Sequence, residues 1–280
     1  MGYSKALVAF IDILGSKQIN SFDLRLSVNM SFHTELEKFM DVETVFDSIK
    51  KYERQVYVFS DCCYIIFYYN DAVSHKDDFK LIKNGLHYIS LLALEILSNN
   101  VIIRGGITFG DVYFEKDRSL FFGPAIDCAY QLESKVAVVP RIAIDEKIAS
   151  DYIRNENDFI DSAPENQKEI IKKINGDIIE QENDVYYLNI FDHLNKQTIL
   201  PSGISVEEIA ENLLTLSKKT IEAKNEKKCV EVDANTINEI EKILIKHNWL
   251  INYIENKIKS KKDCSLFLCN EDYGIFAELS

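Results

Sequence analysis

The sequence predicts an α+β fold, an α/β sandwich in which helices cover a mostly antiparallel β-sheet. Two observations predict it. Short apolar runs alternate along the first two thirds of the chain with segments whose apolar residues recur at helical spacing. Most of the apolar runs also come in pairs separated by a few residues, as the strands of hairpins do. Alternating helices and hairpins favour an antiparallel sheet with helices on one face.

Each element follows from a local pattern. In chain order we expect a strand at 5–13, a helix at 30–50, paired strands within 54–69, a helix at 76–98, strands at both ends of 101–115, a helix from about 126, and strands at 141–145 and 184–192. The helix at 76–98 has the clearest periodicity, since its apolar residues recur three and four positions apart. A mostly antiparallel sheet with helices on one face is the arrangement of ferredoxin-like folds.

The chain changes character after about residue 150. Residues 150–183 are rich in charge, and we expect them to be irregular or peripheral. Ser205 and Glu208 form a capping box that opens a helix, and a long amphipathic helix follows over 234–260. The apolar run 264–269 predicts an edge strand. We therefore divide the chain into a main domain, 1–196, and a helical extension packed on it, 197–280.

Composition excludes several classes of protein. The chain has 280 residues, 46% of them hydrophobic and 28% charged, which is typical of a globular protein. Its net charge of −13 argues against general nucleic-acid binding. No apolar stretch is long enough to span a membrane, and the N-terminus does not resemble a signal peptide. Six cysteines without a C-x-x-C pair predict reduced thiols and a cytoplasmic location.

Two aspartates mark the candidate site. Asp12 ends the first apolar strand, and Asp61 lies at the tip of the first hairpin. Each alone is explained by simple solvation of a strand end or a turn. Together they are more informative, because the end of one strand can lie beside the tip of a neighbouring hairpin in an antiparallel sheet. Two carboxylates and a backbone carbonyl then offer hard oxygen ligands for Mg²⁺ or Mn²⁺.

Neighbouring residues suit an anionic ligand. Gly15 follows Asp12 closely and would let main-chain N–H groups approach an anion, while Ser16 and Lys17 would add a hydroxyl and a charge. Arg104 precedes two glycines at the end of an apolar run. It is either a surface arginine at a bulge or a forked donor to phosphate oxygens.

Four motifs carry a resemblance to class III nucleotide cyclases. FIDILG (10–15) resembles the F-x-D-I-x-G signature of this family, and FSD (59–61) resembles its x-G-D hairpin tip. RGGITFG (104–110) is similar to its R-x-G-I-H-x-G strand, and GPAIDCAYQLES (123–134) to its G-x-x-V-N-x-A-x-R-L-E-S helix. The motifs occur in the order of the family and cover roughly residues 5–145.

The resemblance implies a two-metal reaction. Asp12, Asp61 and the Ile13 carbonyl would hold two Mn²⁺ or Mg²⁺ ions per site, and the loop of Leu14, Gly15 and Ser16 would bind phosphates. Arg104 matches an arginine of the family that touches the triphosphate. Attack of the ribose O3′ on the α-phosphate would expel pyrophosphate. The family places its sites between two cyclase domains, so the resemblance also implies a homodimer.

The chain also departs from the family. Asp127 and Gln131 stand where the family has an asparagine and an arginine that hold ribose and stabilise the transition state. Either another residue acts there, for which Arg104 and Lys135 are both candidates, or activity is lost. Tyr57 and Leu120 occupy positions at which adenylate cyclases carry a lysine and an aspartate for the base, so a smaller base is expected.

The helix motif is most similar to the pyrimidine cyclases of bacterial Pycsar anti-phage systems. That resemblance implies cyclic UMP or cyclic CMP as the product and a separate effector that responds to it. Tyr57 favours UTP over CTP. The alternatives are a purine cyclase and a degenerate domain that binds a nucleotide without turnover. A diguanylate cyclase is disfavoured because its G-G-[DE]-E-F hairpin is missing.

Overall fold

The computed structural model describes residues 2–34, 51–115, 118–175, 177–191, 200–231 and 233–265. The described strands are β1 (Ser4–Leu14), β2 (Tyr52–Phe59), β3 (Cys62–Tyr69), β4 (Ile102–Glu115), β5 (Leu120–Phe122), β6 (Ile142–Ile144), β7 (Ile179–Glu182) and β8 (Val185–Leu188). The described helices are α1 (Phe22–Ser31), α2 (Asp78–Leu97), α3 (Pro124–Gln131), α4 (Glu146–Ser162), α5 (Glu165–Asn175), α6 (Val206–Val230) and α7 (Ala234–Ser265). A 3₁₀ turn covers Ser16–Gln18, and a π-helical turn, Leu132–Val136, follows α3.

The strands form a mostly antiparallel open sheet in the order β2-β3-β1-β4-β6-β8-β7, and β5 pairs with β4 off this path. Neighbouring strands run antiparallel except β4 and β6, which are parallel. A parallel pair needs a crossover connection, and α3 with its π-helical turn lies between these two strands in the chain. The α+β class predicted from the sequence is therefore confirmed.

The strand β1 is the centre of the structure, and its two faces belong to different cores. Alternate side chains of a strand point to opposite faces. Leu7 and Ile11 join the larger core with the apolar face of α2, whereas Val8 and Phe10 join a smaller core against α3. Helices therefore cover both faces of the sheet, and the expectation that they lie on one face is wrong. The sheet is buried on both sides because β1 is apolar at nearly every position.

Helix α2 is the main buried helix, as its periodicity predicts. Asp77 caps its first turn, and the Asp77 carboxylate accepts hydrogen bonds from the main-chain N–H groups of Phe79 and Lys80 at 3.0 and 3.3 Å. Ser205 caps α6 in the same way, accepting from the N–H of Glu208 at 3.1 Å, so the predicted capping residue is confirmed.

Several other predictions are corrected. Residues 150–183 are largely regular, because the charged stretch forms the amphipathic helices α4 and α5 and the strand β7. Residues 102–115 form one continuous strand, since its glycines fit within extended backbone. An edge strand cannot begin at Cys264, which belongs to α7. Most of the helix expected at 30–50, most of the strand expected at 264–269 and the domain boundary at 196/197 lie outside the described residues.

Helix α7 returns to the sheet and packs along β8. The ring of Trp249 stacks on that of Tyr253, with 5.1 Å between centroids, and both meet the ring of Tyr187 edge-on at 6.0 Å. The Tyr253 hydroxyl donates to the Asn189 side-chain oxygen at 3.0 Å. These contacts fix α7 against the edge of the sheet and determine where its polar face lies.

Within the described ranges, no helix has both the length and the apolar character that a bilayer crossing requires.

Candidate active site

Three adjacent strands bring the candidate residues together at one end of the sheet. Asp12 of β1 is aligned with Cys62 of β3 on one side and with Arg104 of β4 on the other. Side chains directly opposite each other on antiparallel strands share a face. Asp12 and Arg104 therefore point to the same side of the sheet, although they lie far apart in the sequence.

Asp61 is held at the tip of the β2–β3 hairpin by two hydrogen bonds. Its main-chain carbonyl accepts from the N–H of Ile13 at 3.0 Å, and its carboxylate accepts from the Ser16 hydroxyl at 2.5 Å. The hairpin tip is thereby attached to the end of β1. The structure thus places Asp61 beside Asp12, as the sequence predicts.

The loop after β1 turns back towards Asp61. Gly15 has φ +75°, in the left-handed region that side chains disfavour, and Leu14 precedes it at the half-buried end of β1. Arg25 of α1 braces the turn, since its guanidinium donates to the carbonyls of Ile19 at 2.7 Å and Ser16 at 3.4 Å. The side chain of Ile13 is buried in the larger core, which anchors the loop to the sheet.

Arg104 lies between two carboxylates. Its Nε is 3.3 Å from a carboxylate oxygen of Asp12 and 2.6 Å from one of Glu133. The approach to Glu133 is a close ion pair without hydrogen-bond geometry, and the same Glu133 oxygen is buried and accepts no hydrogen bond within the described part of the chain. Glu133 is 3% exposed, so its carboxyl group lies inside the protein, where it fixes the guanidinium beside Asp12.

Gly106 allows this arrangement because it lets the π-helical turn approach β4. A Cβ atom at Gly106 would lie 2.2 Å from the Ala129 carbonyl oxygen, 2.6 Å from the Leu132 Cβ and 2.8 Å from the Glu133 nitrogen. All three distances are far below van der Waals contact. Only glycine at this position lets Glu133 reach Arg104.

The electrostatics of the cluster disfavour charge on Asp12. Burial raises the pKa of the Asp12 carboxyl above its ordinary value, although the charge and hydrogen bond of Arg104 act in the opposite direction, and the charge of Asp61 raises it further. Burial likewise raises the pKa of Glu133, with Arg104 opposing and Asp12 adding to the rise. Carboxylates that are desolvated and repel one another gain the most from an added cation.

The pKa of the Cys62 thiol depends on these carboxylates. Burial raises the pKa of its thiol to about 11, with further contributions from Asp61, Asp12 and Glu133. We expect Asp61→Asn to lower this pKa and therefore to speed alkylation of Cys62 by iodoacetamide at a fixed, mildly alkaline pH, by roughly two- to tenfold. Peptide mass spectrometry measures the rate for each cysteine.

The exposed Cys229 is the internal control for that measurement, and its alkylation rate should be the same in both proteins. An unchanged rate at Cys62 would show that Asp61 does not act on the thiol, contrary to the geometry.

Tyr57 lies on the same face as Asp12, two positions before Phe59, the last residue of β2. Its ring stacks on Phe121 with 4.3 Å between centroids, its hydroxyl donates to the Glu115 carbonyl at 3.0 Å, and it is 7% exposed. The hydroxyl therefore already has an acceptor. Leu120, the other base-reading position considered, is 42% exposed on β5.

The positions that depart from the family motif lie on the surface. Asp127 and Gln131 of α3 are exposed, and so is Lys135 of the π-helical turn. To act as the cation that replaces the arginine of the family, the Lys135 side chain would have to move from the surface into the site. The structure instead brings Lys246, on α7, close enough for its charge to act on Asp12 and Glu133.

The donor chemistry fits a divalent cation. No group of three or more His, Cys, Asp or Glu side chains in the described ranges is arranged to hold a metal ion. The set expected from the sequence is smaller, namely the carboxylates of Asp12 and Asp61 with the Ile13 carbonyl. These are hard oxygen donors. Burial is the main cause of the raised pKa of Asp12, and the repulsion from Asp61, which adds to it, is what Mg²⁺ or Mn²⁺ would relieve.

Sequence reasoning missed Glu133, Lys246 and Arg25. Glu133 is the glutamate of the helix motif, but the sequence does not distinguish a buried glutamate near the end of a helix from an exposed one. Lys246 gave no signal, because its place beside Arg104 depends on how α7 packs.

Comparison with known families found no matching family model, and none of the curated proteins matches the chain. The function of the site is therefore inferred from its own geometry and from the resemblance of the four motifs.

Proposed function

We propose that the chain is a nucleotide cyclase that converts UTP, or alternatively CTP, to the cyclic 3′,5′-monophosphate and pyrophosphate. The observation that carries the proposal is the convergence of Asp12, Asp61 and Arg104 at one end of the sheet. Three separate stretches of sequence, each with the motif of a class III cyclase, supply the hairpin tip, the strand end and the arginine that such a reaction needs.

The local backbone supports the same proposal. Ser60 occupies the position of the glycine in the x-G-D hairpin tip, and its φ is +54°, in the region that favours glycine. The hairpin therefore has the turn geometry that the motif requires, despite the substitution. We include in the proposal the finer fold assignment, a ferredoxin-like cyclase domain.

The residues of this chain would divide the work between metal binding and phosphate binding. Bound divalent ions would lower the pKa of the ribose 3′-hydroxyl and neutralise charge on the triphosphate. Asp12 and Asp61 would hold them, with the Ile13 carbonyl. The N–H groups around Gly15 would donate to phosphate oxygens, and Arg104 would hold the triphosphate in line for attack by O3′.

A homodimer is part of the proposal. The face that carries Asp12 also exposes large apolar side chains, among them Phe59 (46% exposed) and Tyr130 (51% exposed). Exposed aromatic groups beside a polar site are typical of a surface that contacts another protein. A second copy placed there would close the site and exclude water from it. The product would act on a separate effector in anti-phage defence, without necessary contact with the cyclase.

A degenerate nucleotide-binding module is the second candidate. Arg104 is already paired with Asp12 and Glu133, and Gln131 offers no charge where the family has an arginine. Both observations favour binding without turnover. The two metal-type aspartates favour catalysis, because a domain that only binds a nucleotide has no need of two adjacent metal-binding carboxylates.

Incubation of the purified chain with Mn²⁺ and each of ATP, GTP, CTP and UTP tests the proposal. We expect a cyclic monophosphate from UTP or CTP, identified by mass spectrometry, and none without the metal. A product from ATP or GTP alone would retain the mechanism and overturn the pyrimidine assignment. Metal-dependent binding without any product would favour the degenerate module.

A further inference from the structure

Lys246 is a half-buried cation for which the described ranges provide no hydrogen bond or ion pair. Burial removes water from the ammonium group, which costs free energy unless another group compensates. Burial accordingly lowers the pKa of Lys246, and the positive charge of Arg104 lowers it further. In the described part of the chain this ammonium group therefore has charged neighbours but no direct partner.

The position of Lys246 is fixed by a chain of hydrogen bonds that connects α7 to β4. The Trp249 indole, one turn along α7, donates to Glu182 at 2.9 Å, and the Arg141 guanidinium donates to the same carboxylate oxygen at 3.2 Å. The Arg141 carbonyl in turn accepts from the N–H of Gly105 at 3.0 Å. Gly105 directly follows Arg104, so these bonds hold α7 beside the site.

Two cations therefore lie at one end of the sheet and repel each other. Arg104 lowers the pKa of Lys246, whereas Asp12, Glu239 and Glu133 oppose that effect. The carboxylates Asp12 and Glu133 are already in ion pairs with Arg104. Two like charges brought together in a half-buried site favour the binding of an anion between them.

We propose that Lys246 binds phosphate oxygens of the nucleotide together with Arg104. This assignment rests on the proposed function, and it makes the C-terminal extension part of the site. If Asp12 held a metal ion, Arg104 would keep only Glu133 as a carboxylate partner, and both cations would be available to an anion. A polyphosphate suits the pair, because arginine forms forked hydrogen bonds and lysine adds a point charge on a flexible stem.

Binding of inorganic tripolyphosphate to the full chain tests the assignment without requiring turnover. We expect Lys246→Met, which keeps the length of the side chain and removes its charge, to weaken binding in calorimetry by about tenfold to a hundredfold. Lys246→Arg should retain most of the affinity. Lys242→Met is the matched control, because Lys242 lies one turn away on α7 and pairs only with the exposed Glu239 in the described structure.

Lysine labelling provides a second measurement on the unaltered protein, which remains valid if the variant does not fold. Tripolyphosphate should slow acetylation of Lys246 several-fold and leave Lys242 unaffected. Equal affinity of Lys246→Met and the unaltered protein, or equal labelling of Lys246 with and without tripolyphosphate, would overturn the assignment.

The same experiments separate this assignment from the proposed function. Binding that depends on Lys246 in a protein that forms no cyclic nucleotide would retain the phosphate site and remove the cyclase. Cyclic nucleotide formation with binding that is indifferent to Lys246 would do the reverse.

Discussion

Asp12→Asn and Asp61→Asn should each lower the metal-dependent rate of cyclic nucleotide formation by at least about 10³-fold. Each variant removes one carboxylate from the proposed metal site, and metal-ion catalysis contributes several kcal/mol of transition-state stabilisation, at about tenfold in rate per 1.4 kcal/mol. The rate is measured by mass spectrometry of the cyclic product at saturating Mn²⁺. Turnover retained in either variant would contradict the two-metal assignment.

The thermal stability of Asp12→Asn provides the control, because it distinguishes loss of the metal site from unfolding. The pKa of Asp12 is raised in the folded protein, so ionisation destabilises the fold. That contribution favours folding at low pH and is lost as the pH rises through the folded-state pKa. The neutral amide removes this cost at neutral pH, and we expect a Tm no lower than that of the unaltered protein. A large drop in Tm would mean that Asp12 stabilises the fold instead.

Gly106→Ala should destabilise the protein by about 3 kcal/mol or more, the range of severe overpacking. The added Cβ would meet the Ala129 carbonyl oxygen at 2.2 Å and the backbone of the π-helical turn at 2.8 Å. Backbone atoms cannot move aside as a flexible side chain can. The turn must therefore shift away from β4, which also separates Glu133 from Arg104. Chemical denaturation monitored by circular dichroism measures the loss.

Gly110→Ala is the matched control in the same strand. Its Cβ would lie 3.5 Å from the Ala125 Cβ, an ordinary van der Waals contact. We expect its free energy of unfolding to stay within about 1 kcal/mol of the unaltered protein. Equal effects of the two substitutions would show that the close approach at Gly106 is not what fixes the turn.

The fold was predictable from the sequence where apolar periodicity is strong. Helix α2 and the β2–β3 hairpin follow from spacing alone, and the class follows from their alternation. Residues 150–183 were predicted poorly because charge dominates their composition, and the amphipathic faces of α4 and α5 contain few apolar residues. Coverage of both sheet faces was missed because a fully apolar strand such as β1 does not show which side each helix takes.

The part of the candidate site that lies on recognisable strands was also predictable from the sequence. Asp12, Asp61 and Arg104 lie at the ends or turns of recognisable strands, so the antiparallel pairing of those strands brings them together. Glu133 and Lys246 could not be placed in this way. Their positions depend on the close approach at Gly106 and on the packing of α7, and both are tertiary features without a local signal.

A crystal structure with Mn²⁺ and 3′-deoxyuridine triphosphate, which lacks the attacking hydroxyl and cannot cyclise, tests the central claim most directly. The account predicts anomalous density for Mn²⁺ at the carboxylates of Asp12 and Asp61. It also predicts triphosphate oxygens beside Gly15 and Arg104. Manganese bound elsewhere, or a triphosphate directed away from this end of the sheet, would contradict the assignment of the site.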